Sequence, residues 1–105
     1  MPAQFTAYRN TQARSRKDVP YLLVVQSDLI QSVQSCVVVP LIPPERADVP
    51  MSRLMPRLTV RDDAFVMDTL LIAGVSHAVL GEAVADLSHE RSTIMAALDV
   101  LISGI

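Results

Sequence analysis

The alternation of apolar and polar residues in the first half of the chain predicts three strands. In residues 4–9, Phe5 and Ala7 alternate with outward-facing side chains, as in a strand with one buried face. Residues 21–25 and 36–41 are continuous apolar runs rich in β-branched side chains, which is typical of strands buried on both faces. A short, mostly polar stretch separates these two runs, so we expect them to form an antiparallel pair.

The second half of the chain is predicted to add three shorter strands. Residues 40–56 contain five prolines and are expected to be a long irregular excursion. Residues 57–60 and 65–70 then have the pattern of a hairpin with its turn at residues 61–63, and residues 76–80 are the last predicted strand. About six antiparallel strands and a terminal helix indicate a mainly β, α+β fold or small barrel, in a single domain over residues 1–105.

The last twenty residues have the periodicity of one amphipathic helix. Ser88 is placed to cap its start, and Gly104 is placed to end it. We expect the early apolar residues to pack on the core of the domain. The last two are expected to dock either on the domain itself or on another protein, because chain ends are normally polar. The apolar residues that recur at spacings of three or four are Ile94, Ala97, Leu98, Leu101, Ile102 and Ile105.

Composition and charge favour protein partners. The chain has 105 residues, half of them hydrophobic, and a formal net charge of −2. Its basic residues cluster only at residues 14–17, which is a poor basis for direct nucleic-acid binding. No run approaches the roughly 20 apolar residues of a membrane span, and residues 1–12 are too polar for a signal peptide. We therefore expect a cytoplasmic protein.

Residues with catalytic or metal-binding chemistry are few and scattered. Cys36 lies in an apolar run, where a buried thiol is expected. His77 and His89 fall on different predicted elements, and neither has a second ligand at metal-binding spacing. Asp62 and Asp63 are adjacent in a turn, where carboxylates point apart. We predict no metal site, no cofactor and no enzymatic activity.

Three segments, in order, resemble the CcdB family, the gyrase-poisoning toxins of bacterial toxin–antitoxin modules. They are Val-Val-Gln-Ser-Asp-Leu-Ile at residues 24–30, Val-Val-Val-Pro-Leu at residues 37–41, and the stretch from Gly81 through Ala-Asp-Leu-Ser-His at residues 85–89 to Gly104 and Ile105. The opening Gln-Phe-Thr-Ala-Tyr at residues 4–8 is also similar to the first strand of the family. The resemblance implies an SH3-like antiparallel barrel with a small extra sheet and a C-terminal helix, assembled as a homodimer.

The resemblance also implies a function and its residues. Toxins of this family bind the A subunit of DNA gyrase, trap the cleaved gyrase–DNA complex and catalyse nothing. A second implied partner is a cognate CcdA-like antitoxin, whose disordered C-terminal segment wraps the toxin. The family pattern ends Trp-Gly-Ile, whereas this chain has serine in place of the tryptophan. The implied gyrase-binding residues are Leu29, Ile30, Asp99, Ile102, Ser103, Gly104 and Ile105.

Two alternatives share the same fold. Ribonuclease toxins of the MazF and Kid type use this barrel, and fold alone does not decide function. An endoribonuclease would need a basic and acid–base constellation on the sheet. An inactive relative that only binds antitoxin is the other alternative. The candidate residues for the ribonuclease constellation are Arg53, Arg57, Arg61 and His77.

Overall fold

A computed structural model of the chain describes residues 2–30, 34–47 and 52–105. The predicted excursion over residues 40–56 lies partly outside the described residues. Single 3₁₀ turns lie at Pro44–Arg46, Thr69–Leu71, His77–Val79 and Ser88–Glu90. The strands are β1 (Thr6–Asn10), β2 (Tyr21–Val24), β3 (Ser35–Ile42), β4 (Arg57–Val60), β5 (Asp63–Met67), β6 (Ala73–Ser76) and β7 (Leu80–Asp86), and the helix α1 is Arg91–Ser103.

The strands of the described residues form one antiparallel sheet that curls into a half-barrel. Their order is β4-β5-β3-β2-β1-β7, and β6 also pairs with β3. The long strand β3 pairs with β6 along its first half and with β5 at its end, both on the side opposite β2. The small extra sheet that the resemblance implies is therefore not separate from the main sheet, because β3 joins all the strands into one sheet. The α+β, SH3-like fold is confirmed.

The two central strands are buried on both faces, as their apolar runs predicted. On one face, Leu23 and Val39 belong to the main core, which also contains Ile94 and Ala97 of α1. On the other face, a second cluster joins Leu22, Val24, Cys36 and Val38 and is covered by Tyr8, Val79 and Leu80. Cys36 is buried, as predicted, and burial raises the pKa of its thiol.

The predicted cap at the helix start is wrong, whereas the predicted stop is confirmed. A 3₁₀ turn, Ser88–Glu90, precedes α1, and the backbone N–H of Ser88 donates to Oδ1 of Asp86 at 2.9 Å. This hydrogen bond, followed by one from the Ser88 hydroxyl, lowers the pKa of Asp86. At the other end, Gly104 adopts a φ of 82°, and its N–H donates to the carbonyl of Val100 at 3.0 Å. That is the left-handed conformation for which glycine is favoured.

The strand predicted at residues 65–70 is confirmed in part, the strand predicted at residues 76–80 is wrong, and β6 and β7 were not predicted. The strand predicted at residues 65–70 begins at Asp63 and ends at Met67, and a 3₁₀ turn follows it. Another 3₁₀ turn, His77–Val79, interrupts the strand predicted at residues 76–80. Strand β7 pairs with β1 with two register shifts, which disturb the two-residue alternation that reveals a strand in sequence. Residues 80–86 therefore form a strand because they pair with β1, although their own sequence pattern is weak.

The β4–β5 turn is tighter than predicted. Residues 61 and 62 both have positive φ, 50° for Arg61 and 72° for Asp62, and Asp63 already belongs to β5. This is the geometry of a two-residue type I′ hairpin turn. Neither residue is glycine, so the turn carries some backbone strain.

In the parts of the chain that the structure describes, no helix has both the length and the apolar character needed to cross a bilayer.

Candidate functional site

The apolar stripe of α1 begins in the core and ends in solvent. Ile94 and Ala97 are fully buried, and Leu98 is partly buried against the same core. One turn later the environment changes, because Ile102 is 82% exposed and Ile105 is 79% exposed. The residues after Leu101 therefore present large apolar side chains that the domain itself does not cover. We refer to residues 102–105 as the tail.

Local hydrogen bonds hold the backbone of the tail. The Ser103 hydroxyl donates to the carbonyl of Asp99 at 2.8 Å, and Gly104 turns the chain away from the helix axis. The guanidinium of Arg53 donates to the carbonyl of Ile105 at 3.5 Å. Asp99 is exposed one turn before the tail. The tail is thus ordered while its apolar side chains stay accessible, which lowers the entropy cost of binding.

The loop after β2 presents the second pair of predicted residues. Leu29 is 94% exposed and Ile30 is 64% exposed. Ser27 supports them, because its hydroxyl accepts the N–H of Leu29 and its carbonyl accepts the N–H of Ile30. The side-chain amide of Gln26 donates to the carbonyl of Ile30 at 2.8 Å. These polar residues fold a turn that displays two hydrophobic side chains at its surface.

The start of the first predicted strand, which was not predicted to belong to the site, connects this loop to the start of the helix. The backbone N–H of Gln4 donates to the carboxylate of Asp28, and its side-chain amide donates to the carbonyl of Val25. The N–H of Phe5 donates to the carbonyl of Val24 at 2.6 Å, and its carbonyl accepts the N–H of Leu87 at 2.8 Å. Residues 4 and 5 thus tie the base of the loop to the residue that precedes the helix entry.

Phe5 makes these contacts in a strained conformation. It is buried, yet its φ is 63°, which is uncommon for a bulky residue. The guanidinium of Arg91, in the first turn of α1, lies 5.4 Å from the centre of its ring. The alternating pattern predicted a buried Phe5 but carries no signal for the positive φ.

The two halves of the predicted site are linked to opposite ends of α1. Gln4 and Phe5 connect the loop to Leu87, just before the helix, and the tail lies at the end of the helix. In the part of the chain that the structure describes, no hydrogen bond or ion pair joins Leu29 or Ile30 to residues 99–105.

The residues considered for ribonuclease chemistry lie in different places. Nε2 of His77 is 3.1 Å from the carbonyl oxygen of Ser35, and His77 lines a cavity of about 250 Å³ with Ile30. Arg53 and Arg57 line a separate groove against α1. Among the described residues, no group of three or more His, Cys, Asp or Glu side chains is placed to hold a metal ion. His77 and the two arginines therefore do not form one constellation.

Comparison with known protein families agrees with the fold. The sequence model of the CcdB protein family matches residues 4–104, which is the whole chain apart from residues 1–3 and Ile105. The match includes both the loop and most of the tail. Membership in this family suggests a toxin of a toxin–antitoxin module. On the extent of this match, the chain belongs to the CcdB family.

Proposed function

We propose that this protein is the toxin of a type II toxin–antitoxin system and poisons DNA gyrase. In this proposal it binds the gyrase A subunit in the bacterial cytoplasm and traps the cleaved gyrase–DNA complex. The observation that carries the proposal is the exposure of Ile102 and Ile105, at 82% and 79%, at the end of a helix whose earlier apolar residues are buried.

The free energy available from the tail is sufficient for a specific contact. Burying one isoleucine side chain contributes about 1.5–3 kcal/mol, so two side chains supply a central apolar anchor. Gly104 lies between them, and its φ of 82° gives the chain a turn that other residues rarely adopt. Leu29, Ile30, Asp99 and Ser103 are the proposed additional contacts.

A poison of this kind needs no catalytic group. It must bind the cleaved state of gyrase more tightly than the resealed state, because only differential affinity shifts an equilibrium. We propose that the protein acts as a homodimer, so that two tails are presented together. A CcdA-like antitoxin is the proposed second partner, and its disordered segment would fold on binding.

Expression from an inducible promoter in a gyrase-containing bacterium tests the activity. We expect growth arrest and DNA breaks covalently linked to gyrase, and we expect both to disappear when residues 103–105 are deleted. Purified intact protein should retain the gyrase A subunit in a pull-down, and the truncated chain should not. Toxicity that survives the deletion would contradict the site. Cleavage of cellular RNA by the purified protein would instead support the ribonuclease alternative.

A point variant and a matched control distinguish a specific effect of the tail on gyrase binding from a general effect of added charge. Ile102→Asp introduces a negative charge at an exposed position of the tail, and Ala13→Asp introduces the same charge in an exposed loop. We expect both variants to fold, because neither position is buried. Only Ile102→Asp should lose gyrase binding. Equal loss in both variants would indicate that net charge, rather than the tail, controls the interaction.

A further inference from the structure

A groove beside the first half of α1 is lined by residues that do not belong to the proposed gyrase contacts. It has a volume of about 520 Å³ and lies between the helix and residues 52–57. Arg53 and Arg57 supply its basic side chains, while Ser92, Thr93 and Ala96 form the helix wall. We call it the arginine groove.

The two guanidinium groups are available to an anionic partner. Both arginines are exposed, and the ion pairs of the described residues, Arg9–Glu82 and Arg46–Asp18, involve neither of them. Among the described residues, Arg53 makes one long hydrogen bond, to the carbonyl of Ile105, and this leaves other donors of its guanidinium available. Two arginines in one groove favour carboxylate or phosphate, because each guanidinium can bind such a group through two parallel hydrogen bonds.

The helix wall fits a peptide backbone. Serine, threonine and alanine are small, so a polypeptide can approach the helix closely at this point. Ser92 is exposed and offers a hydroxyl. The Thr93 hydroxyl is partly used, since it donates to Glu90 at 3.5 Å.

Nearby negative charges limit what kind of anion can bind. The Thr93 hydroxyl donates to Glu90, so one carboxylate already lies at the helix wall of the groove. Duplex nucleic acid carries a negative charge every ~1.7 Å and would bring further phosphates towards this carboxylate. A peptide that places one or two carboxylates at the two arginines alone avoids this repulsion. The protein as a whole also has a negative net charge, which disfavours a polyanion further.

We infer that the arginine groove binds an acidic segment of a protein partner, in which carboxylates alternate with small uncharged residues. This inference goes beyond the proposed gyrase contact, because it uses the first half of α1 and residues 52–57. Arg53 links the two surfaces, since it contacts the carbonyl of Ile105 at the end of the tail.

The test is a titration of the full ¹⁵N-labelled chain with a synthetic peptide of alternating Glu and Ala, followed by NMR at low ionic strength. We expect the largest shifts at Arg53, Arg57 and Ser92. The double variant Arg53→Gln/Arg57→Gln should weaken binding about tenfold or more. The control Arg14→Gln/Arg16→Gln removes the same charge from an exposed loop and should leave affinity unchanged.

Three results would overturn the inference. The first is an equal loss of affinity in the two double variants, which would indicate non-specific attraction. The second is a set of shifts centred on residues 14–17. The third is a short DNA duplex that binds the groove where the peptide does not. Gyrase is absent from this titration, so a negative result would not contradict the proposed gyrase poisoning. A negative toxicity assay, in turn, would not contradict peptide binding in the arginine groove.

Discussion

Helix α1 contains two isoleucines on one stripe that lie in opposite environments. Ile94, near its start, is fully buried between the helix and the sheet, whereas Ile102, about two turns later, is 82% exposed. Both have the same side chain and the same spacing pattern, so neither hydropathy nor periodicity distinguishes them. The difference arises because the core covers Ile94, whereas no part of the described chain covers Ile102 to a similar extent. Burial assigns the first isoleucine to stability and leaves the second free for a partner.

The largest expected effect tests this contrast directly. Ile94→Ala removes a buried side chain and leaves a cavity, so we expect the free energy of unfolding to fall by about 3 kcal/mol. Ile102→Ala should change it by less than about 0.5 kcal/mol, because the side chain contacts mainly water. Urea unfolding at one fixed protein concentration measures both, since dimerisation would make stability depend on concentration. Similar losses in the two variants would mean that the tail is buried in solution.

A second variant tests whether the exposed end of the helix binds gyrase. Ser103 is exposed, and its hydroxyl donates to the carbonyl of Asp99 one turn earlier in the helix. Ser103→Trp restores the aromatic residue of the family pattern. We expect affinity for the gyrase A subunit to rise by about 2 kcal/mol, or roughly 30-fold. Surface plasmon resonance measures the gain, and Ala13→Trp, in an exposed loop, is the control for added apolar surface. Unchanged affinity would place position 103 outside the contact.

A third variant concerns the attachment of the buried end of the helix. Asp86 has its pKa lowered, mainly by the backbone N–H of Ser88 and then by the Ser88 hydroxyl. Because the folded pKa lies below the unfolded one, the stabilisation is present above about pH 4 and is lost as pH falls through the lowered pKa.

Asp86→Ala should therefore lower the urea midpoint near neutral pH, by less than Ile94→Ala does, since Asp86 is exposed. The difference from the parent protein should shrink as the pH falls below about 4. Ser92→Ala, at an exposed position inside the helix, is the control and should show no such pH dependence. A deficit that stays constant with pH would show that the carboxylate charge is not responsible.

The smallest expected effect lies away from both ends of the helix. Asp62 has a φ of 72° in the β4–β5 turn, so Asp62→Gly should relieve backbone strain and raise stability by about 0.5 kcal/mol. Asp62→Ala should lower stability instead, because alanine gains nothing at positive φ and loses the polar side chain. Gyrase affinity should be the same for both. A change in affinity would show that the turn communicates with the tail.

The features predictable from sequence share a local physical origin. The runs at residues 21–25 and 36–41 indicated strands buried on both faces, because no polar side chain could face water there, and the structure confirms this. Gly104 indicated the helix stop, because its left-handed conformation depends on the residue itself.

The features that were missed depend on contacts between distant segments. Strand β7 was missed because alanine and glutamate are weak strand formers and its pairing with β1 contains two register shifts. The positive φ of Phe5 follows from its simultaneous bonds to Val24 and Leu87, which are far away in sequence. Ser88 does not cap α1, because a 3₁₀ turn precedes the helix and the N–H of Ser88 donates to Asp86.

The sequence by itself determined which segments are apolar on one or both faces, where the helix ends, and that the chain belongs to a family of toxins. These properties depend on short-range periodicity and on the backbone preferences of single residues. Only the tertiary structure decided that Ile94 is covered and Ile102 is not, that Gln4 and Phe5 support the loop, and that Arg53 and Arg57 share a groove with α1. Each of these depends on contacts between segments that are distant in sequence, and those contacts form only when the strands and the helix pack together.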